Sequence, residues 1–180
     1  DANEILSGNP ILLHKKTQSP ALHSDLFRYA MIAKKQQIWV DLDLIALQPI
    51  HSEDDYLFGF ESASVVNTAL LYLPPESKTL ADLLSQFNAN TRGYPPHFSK
   101  FKKFRYFFKT KGRGPHISDM PWGATGPTAL SRITKINNEI KYAKSMSAFY
   151  HIELKDVRRF ITPGALSVND FPKESMATHL

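Results

Sequence analysis

Cysteine is absent from this 180-residue chain. That excludes disulfides, thiolate metal sites and cysteine nucleophiles, and it is compatible with a reducing compartment. No apolar run approaches the roughly 18 residues needed to cross a bilayer, and the first residues show no secretory-signal pattern. Internal repeats and low-complexity tracts are also lacking. A hydrophobic content of 42% over this length suffices for a substantial core. Helical and strand patterns alternate along the chain, which predicts one α/β domain over residues 1–180 with a layered sheet.

The densest chemistry lies in Ile38-Trp39-Val40-Asp41-Leu42-Asp43-Leu44-Ile45, a short apolar run carrying two carboxylates. On a strand, Asp41 and Asp43 would project to one side with Cα atoms roughly 7 Å apart. Carboxylates sharing a face repel, and they are costly to bury unless a cation lies beside them. A hard ion such as Mg²⁺ or Mn²⁺ meets that need. Two solvated acids at the end of an edge strand are the plainer alternative.

Upstream, Ser19-Pro20 supplies a cap and a first-turn proline. Leu22, Leu26, Tyr29, Ala30 and Ala33 then recur at helical spacing, and a polar Lys34–Gln37 turn leads into the Ile38 strand. Asp25 and Arg28, three residues apart on that helix, share a face and can form a structural ion pair.

Ser24-Asp25-Leu26-Phe27-Arg28-Tyr29, followed by Trp39-Val40-Asp41-Leu42-Asp43 and Leu47-Gln48-Pro49-Ile50, resembles the sugar-binding region of the DXD-containing glycosyltransferases. These include capsule and lipopolysaccharide glycosyltransferases, initiating mannosyltransferases, α-1,4-galactosyltransferases and the clostridial glucosylating toxins. The family pattern is a Ser-Asp-x-x-Arg-Tyr helix, a Gly-Gly turn and an aromatic-x-Asp-x-Asp strand. The first and third elements are present. Gln36-Gln37 stands where the glycine pair belongs, and Trp39 replaces the usual Tyr, keeping a ring and one N–H donor.

The likeness extends further along the chain. Tyr56–Glu61 reads as a strand, and Asn67, in Val65-Val66-Asn67-Thr68-Ala69-Leu70, matches an Asn that borders the donor sugar in the family. As a plain turn residue, Asn67 would instead satisfy its own side chain. Thr125-Gly126-Pro127 resembles a turn opening a helix on the acceptor side, with Ala129, Leu130, Ile133, Ile136, Asn137 and Ile140 marking the buried face. His179, followed by Leu180, resembles a late histidine that helps hold metal or diphosphate. Family members begin with a strand that holds the nucleotide base, and Asp1–Pro10 offers none, so the expectation is a fragment of a complete domain.

The resemblance thus implies a GT-A-like nucleotide-diphospho-sugar transferase fold, a mixed sheet flanked by helices without its N-terminal strand. It implies a metal-dependent retaining transfer of a hexose from a UDP- or GDP-sugar to a hydroxyl of a glycan or glycolipid. Asp41 and Asp43 would serve catalysis and, with His179, hold Mn²⁺ or Mg²⁺. Asp25, Arg28, Trp39 and Asn67 would contact the donor sugar, and Thr125, Gly126 and Pro127 would lie on the acceptor side. Glu61 and Asp119 receive no role. Location follows the source: cytoplasmic or peripheral on the cytoplasmic membrane in a bacterium, Golgi lumen in a eukaryote.

Other elements follow from pattern. Leu80, Leu83, Leu84 and Phe87 mark a helix after Pro74-Pro75, and Ala148–Leu154 reads as a late strand. Residues 97–114 interleave Phe98, Phe101, Phe104 and Phe108 with Lys100, Lys102, Lys103, Arg105, Lys109, Lys111 and Arg113. As a helix, this segment would be basic and amphipathic. It can lie on an anionic membrane, or turn its Phe face onto the protein's own core. Nucleic-acid binding is not expected, because the net charge is only +5 and no nucleic-acid motif accompanies the patch.

Two rival functions fit parts of the pattern. A haloacid-dehalogenase-type phosphatase also places Asp-x-Asp after an apolar strand, with Asp41 as nucleophile and Asp43 as acid–base. Leu44-Ile45-Ala46 lacks the small polar residues of that loop, however, and the Ser24–Tyr29 helix stays unexplained. The other is a non-catalytic membrane- or carbohydrate-binding relic of the transferase fold, suggested by the changed glycine turn and the basic segment.

Overall fold

The computed structural model describes residues 2–6, 8, 11–87, 92–152 and 154–179. Helix α1 (Ala2–Leu6) packs Ile5 and Leu6 on α2 (Ala21–Lys35). In α2, Leu22, Leu26, Tyr29, Ala30 and Ile32 are buried, as an apolar stripe at helical period requires. Ser19 Oγ accepts from the Ala21 N–H at 3.2 Å and Pro20 occupies the N-cap. The helix ends at Gln36, a left-handed C-cap whose N–H reaches Ile32 O. A left-handed C-cap is the position glycine suits best, and here Gln occupies it.

The strands are short. β1 (Trp39–Val40) pairs antiparallel with β3 (Leu70–Leu71), and β2 (Leu44–Ala46) pairs antiparallel with a C-terminal strand, β4 (Ala177–His179). The class is therefore mixed α/β, but these four strands form two two-stranded sheets rather than one layered sheet. Tyr56–Glu61 contributes bridges instead of a strand: Leu57 opposite Tyr72, Phe60 opposite Val66 and Gly59 beside Lys144.

Four further helices complete the frame: α3 (Lys78–Ser85), α4 (Lys100–Lys109), α5 (Pro127–Ile136) and α6 (Met146–Phe149). Ser77 caps α3 and its hydroxyl donates to Glu139 at 2.7 Å, which ties α3 to the end of α5. The central core gathers Tyr29, Ile32, Leu71, Leu83 and Leu130 from α2, β3, α3 and α5, with Phe58 from the Tyr56–Glu61 segment. A second cluster joins Leu22 to Phe98, Tyr106 and Ile117, and a third packs Leu57 and Leu70 on Phe149 and Tyr150.

Three further expectations require correction. The described residues of 148–154 form no strand: Ala148, Phe149 and Tyr150 are buried in succession at the end of α6, which alternating strand faces do not produce, and a 3₁₀ segment spans Leu154–Ile161. On α5, Ala129, Leu130 and Ile133 are buried, whereas Ile136 is exposed and Ile140 lies in a separate 3₁₀ turn, because the helix stops at Asn137. In the basic segment, Phe98 precedes the Ser99 N-cap and is buried, so it does not share a face with Phe101, Phe104 and Phe108.

Candidate functional site

Asp41 and Asp43 do not share one strand face. β1 ends at Val40, the chain turns through residues 41–43 with Leu44 N–H returning to Asp41 O at 3.3 Å, and β2 begins at Leu44. The turn pushes Leu42 fully into solvent and brings the flanking acids together another way. Asp41 N–H is fixed by Ala69 O at 2.7 Å, and Leu44 faces His179 in the β2–β4 register. One ligand atom each from Asp41, Asp43 and His179 therefore lie within 4.8 Å of one another. His179 Nε2 is 3.3 Å from Asp43 Oδ1.

Arg28 links this cluster to α2. Its Nη2 donates to Asp41 Oδ1 at 3.0 Å and its Nη1 to Asp25 Oδ1 at 3.3 Å, with the Arg side chain only 8% exposed. Trp39 Nε1–H donates to the same Asp41 oxygen at 2.6 Å, and the Arg28 guanidinium lies 4.9 Å from the Trp39 ring centre. Both bonds to Asp41 fall on Oδ1, which leaves Oδ2 for other partners. Arg28 Nε is buried without a hydrogen-bond partner among the described residues, a costly condition that an acceptor from a ligand would relieve.

Asp25 sits behind Arg28. Thr125 Oγ1 donates to its Oδ2 at 2.6 Å, and Tyr29 O–H donates to Thr125 O at 2.7 Å. Burial raises the Asp25 pKa above its ordinary value; the Thr125 bond and Arg28 oppose that rise, and Asp41 adds to it. Gly126 is placed by this contact as well, since a Cβ there would come within 3.3 Å of Asp25 Oδ2. Pro127 then opens α5 in its first turn. Thr125 and Gly126, for which the resemblance implies the acceptor side, thus form the wall against which Asp25 is held.

Asn67 stands slightly apart. Its Oδ1 accepts from the N–H groups of Thr68 and Ala69, which is the self-satisfied turn, and its Nδ2 donates to Glu61 Oε2 at 2.9 Å. By fixing Ala69 it steadies the carbonyl that anchors Asp41.

Two hollows flank Arg28. One, about 190 Å³, is bounded by Asp25, Arg28, His14, Trp122 and Thr125. The other is an open cleft floored by Arg28, Trp39, Asp41 and Asp43. A third cavity of about 500 Å³ lies beyond His179, between Glu61, Tyr150 and the apolar Met146, Val157 and Phe160. Burial, with the charges of Glu61 and Asp41, pushes the Tyr150 hydroxyl well above its ordinary pKa, so it stays protonated.

No protein-family model, no curated protein and no solved structure matches the chain.

Glu61, Tyr150 and His14 border these hollows without a motif that marks them in the sequence. Glu61 is signalled only by its partner Asn67. His14 is placed by Nε2 against Met120 O at 3.1 Å and by its edge-on contact with Trp122, neither of which has a local signature. Asp119 lies away from this group, paired with Lys15 at 3.2 Å on the surface.

Proposed function

We propose that the chain carries the donor-binding and metal-binding part of a retaining glycosyltransferase of GT-A type, which moves a hexose from a nucleotide-diphosphate sugar to a hydroxyl of a glycan or glycolipid. The observation that carries this reading is Arg28, which joins Asp25 on one side to Asp41 on the other, next to the Asp43–His179 pair.

The donor set suits a hard divalent cation: two carboxylates and one imidazole, with Asp43 57% and His179 25% exposed. Arg28 already places positive charge against Asp41. A cation is therefore better held by Asp43 and His179, with Asp41 the weaker or indirect ligand. When bound, Mn²⁺ or Mg²⁺ supplies Lewis acidity toward the departing diphosphate.

The protein's own groups do the positioning. Arg28 and Asp25 both border the hollow on the side of Thr125 and Trp122 and would offer a donor and an acceptor for sugar hydroxyls there. Fixed groups of this kind orient the sugar and lower the entropic barrier to transfer. Trp39 holds Asp41 in place, and Arg28 adds a preorganised positive charge next to the developing negative charge. No side chain here is assigned as a covalent nucleophile, which is consistent with attack by the acceptor hydroxyl from the leaving-group side. A phosphatase using Asp41 as nucleophile is disfavoured, because it leaves the Asp25–Arg28 pair and the Thr125 bond behind it without a role.

The test is release of nucleoside diphosphate from a panel of UDP- and GDP-hexoses in the presence of Mn²⁺. Metal-dependent release from one donor, lost in Asp25→Asn, is expected. Turnover of phosphomonoesters with no release from any donor would overturn the proposal.

A further inference from the structure

Helix α4 presents its apolar side outward. Phe101, Phe104, Phe107 and Phe108 are 75%, 62%, 52% and 64% exposed, while Tyr106 is the only buried residue of the helix. Spacings of three and four residues put the four rings on one face, where Phe104 meets Phe108 edge-on at 4.7 Å and Phe107 meets Phe108 at 5.6 Å. Tyr106, on the opposite side, stacks on the buried Phe98 at 5.8 Å and anchors the helix to the Leu22–Ile117 cluster. A surface helix of a water-soluble fold normally has the reverse arrangement, and contiguous exposed rings mark a contact surface.

Charge identifies the occupant. Residues 97–114 hold seven of the chain's 22 Lys and Arg residues and none of its 17 acids, so the rest of the chain is net acidic. No acid falls between Asp82 and Asp119. Among the described residues no carboxylate lies within salt-bridge distance of the α4 cations. The local ties of Lys102 and Lys103 are to the Phe98 ring at 3.9 Å and to Pro96 O at 3.5 Å. Cations without internal counter-charge, set around an exposed aromatic face, need an anionic surface that is also apolar a few ångströms deep. A protein's acidic patch supplies the first property only.

We infer that α4 is a docking helix for an anionic lipid bilayer, with Phe101, Phe104, Phe107 and Phe108 entering the headgroup–acyl boundary and Lys100, Lys103, Arg105 and Lys109 meeting lipid phosphates. This inference does not depend on the transfer chemistry. The helix shares the Tyr106–Met120–Trp122 hollow with the wall of the Arg28 site, so docking would bring that side of the site toward membrane-borne hydroxyl compounds.

Vesicle flotation of the 180-residue chain tests it, using phosphatidylcholine alone and phosphatidylcholine mixed with phosphatidylserine. Flotation with the anionic vesicles only, weakened by added salt, is expected. Phe104→Ser with Phe108→Ser, both exposed and therefore compatible with folding, should reduce anionic-vesicle binding by at least roughly tenfold at an unchanged melting temperature. Lys100→Glu with Lys103→Glu should do the same. Equal flotation on both vesicle types, or none, would overturn the inference. So would a lipid-free dimer that the Phe→Ser pair dissolves, or retention of single-stranded RNA without vesicle binding.

Discussion

His179 Nε2 stands 3.3 Å from Asp43 Oδ1, although the two residues come from distant parts of the chain. The contact exists because β4 lies against β2 with Leu44 opposite His179. The same acid-bearing turn is held on its other side by Arg28 through Asp41. A candidate metal-ligand set and the helix that carries Asp25 and Arg28 are thereby joined through one three-residue turn.

Arg28 should be the residue least tolerant of change. Arg28→Ala leaves Asp25 and Asp41 without their shared cation in a largely buried place, which costs on the order of 3 kcal/mol. Arg28→Lys keeps the charge but cannot reach both carboxylates with a planar fork. Urea denaturation should place the Lys variant between wild type and Ala, and both variants should lose nucleotide-sugar binding. Wild-type stability in Arg28→Ala would show that the network is not structural.

Gln36 should be replaceable with profit. Its φ of 52° and ψ of 41° put a side-chain-bearing residue in left-handed backbone at the end of α2. Gln36→Gly removes that strain and should stabilise the fold by about 1 kcal/mol, a rise of roughly 2–4 °C in Tm for a chain of this size. A fall in Tm would mean that the Gln36 side chain makes an unrecognised contribution.

His97 should govern part of the acid sensitivity. Its ring is buried with both nitrogens unpartnered among the described residues, and burial, followed by Arg132, Lys102 and Lys103, lowers its pKa to about 4. The unfolded chain takes up this proton near the ordinary value of 6.5 and the folded chain does not until about 4. The His97 contribution is therefore complete above pH 6.5 and is lost as pH falls toward 4. Melting temperatures across that window should fall more steeply for wild type than for His97→Leu. Parallel curves would remove His97 as a cause.

What could be read from the residues follows the range of the interactions. Helices α2, α3 and α5 show their 3.6-residue stripes directly, and Asp25 and Arg28 meet because three residues on a helix share a face. The Thr125–Asp25 bond and the β2–β4 register that delivers His179 depend on packing between distant segments, for which no local spacing codes. The two acids were legible as a pair but not as a turn, because that depends on where the β1–β3 and β2–β4 pairings stop. In α4 the aromatic period was legible, but the choice of Tyr106 over the Phe residues as the inward group was made by Phe98 and the cluster around it.

The most direct measurement is a thermal-shift titration of wild type and Asp43→Asn with Mn²⁺, alone and with UDP or GDP. At ligand concentrations about 100-fold above Kd, binding contributes about 2.7 kcal/mol, or roughly 5–10 °C in Tm. The account predicts a metal-dependent rise of that order for wild type with one of the nucleotides, and its loss in Asp43→Asn at an unchanged unliganded Tm. An equal rise in both proteins, or none in wild type with either nucleotide, would contradict it.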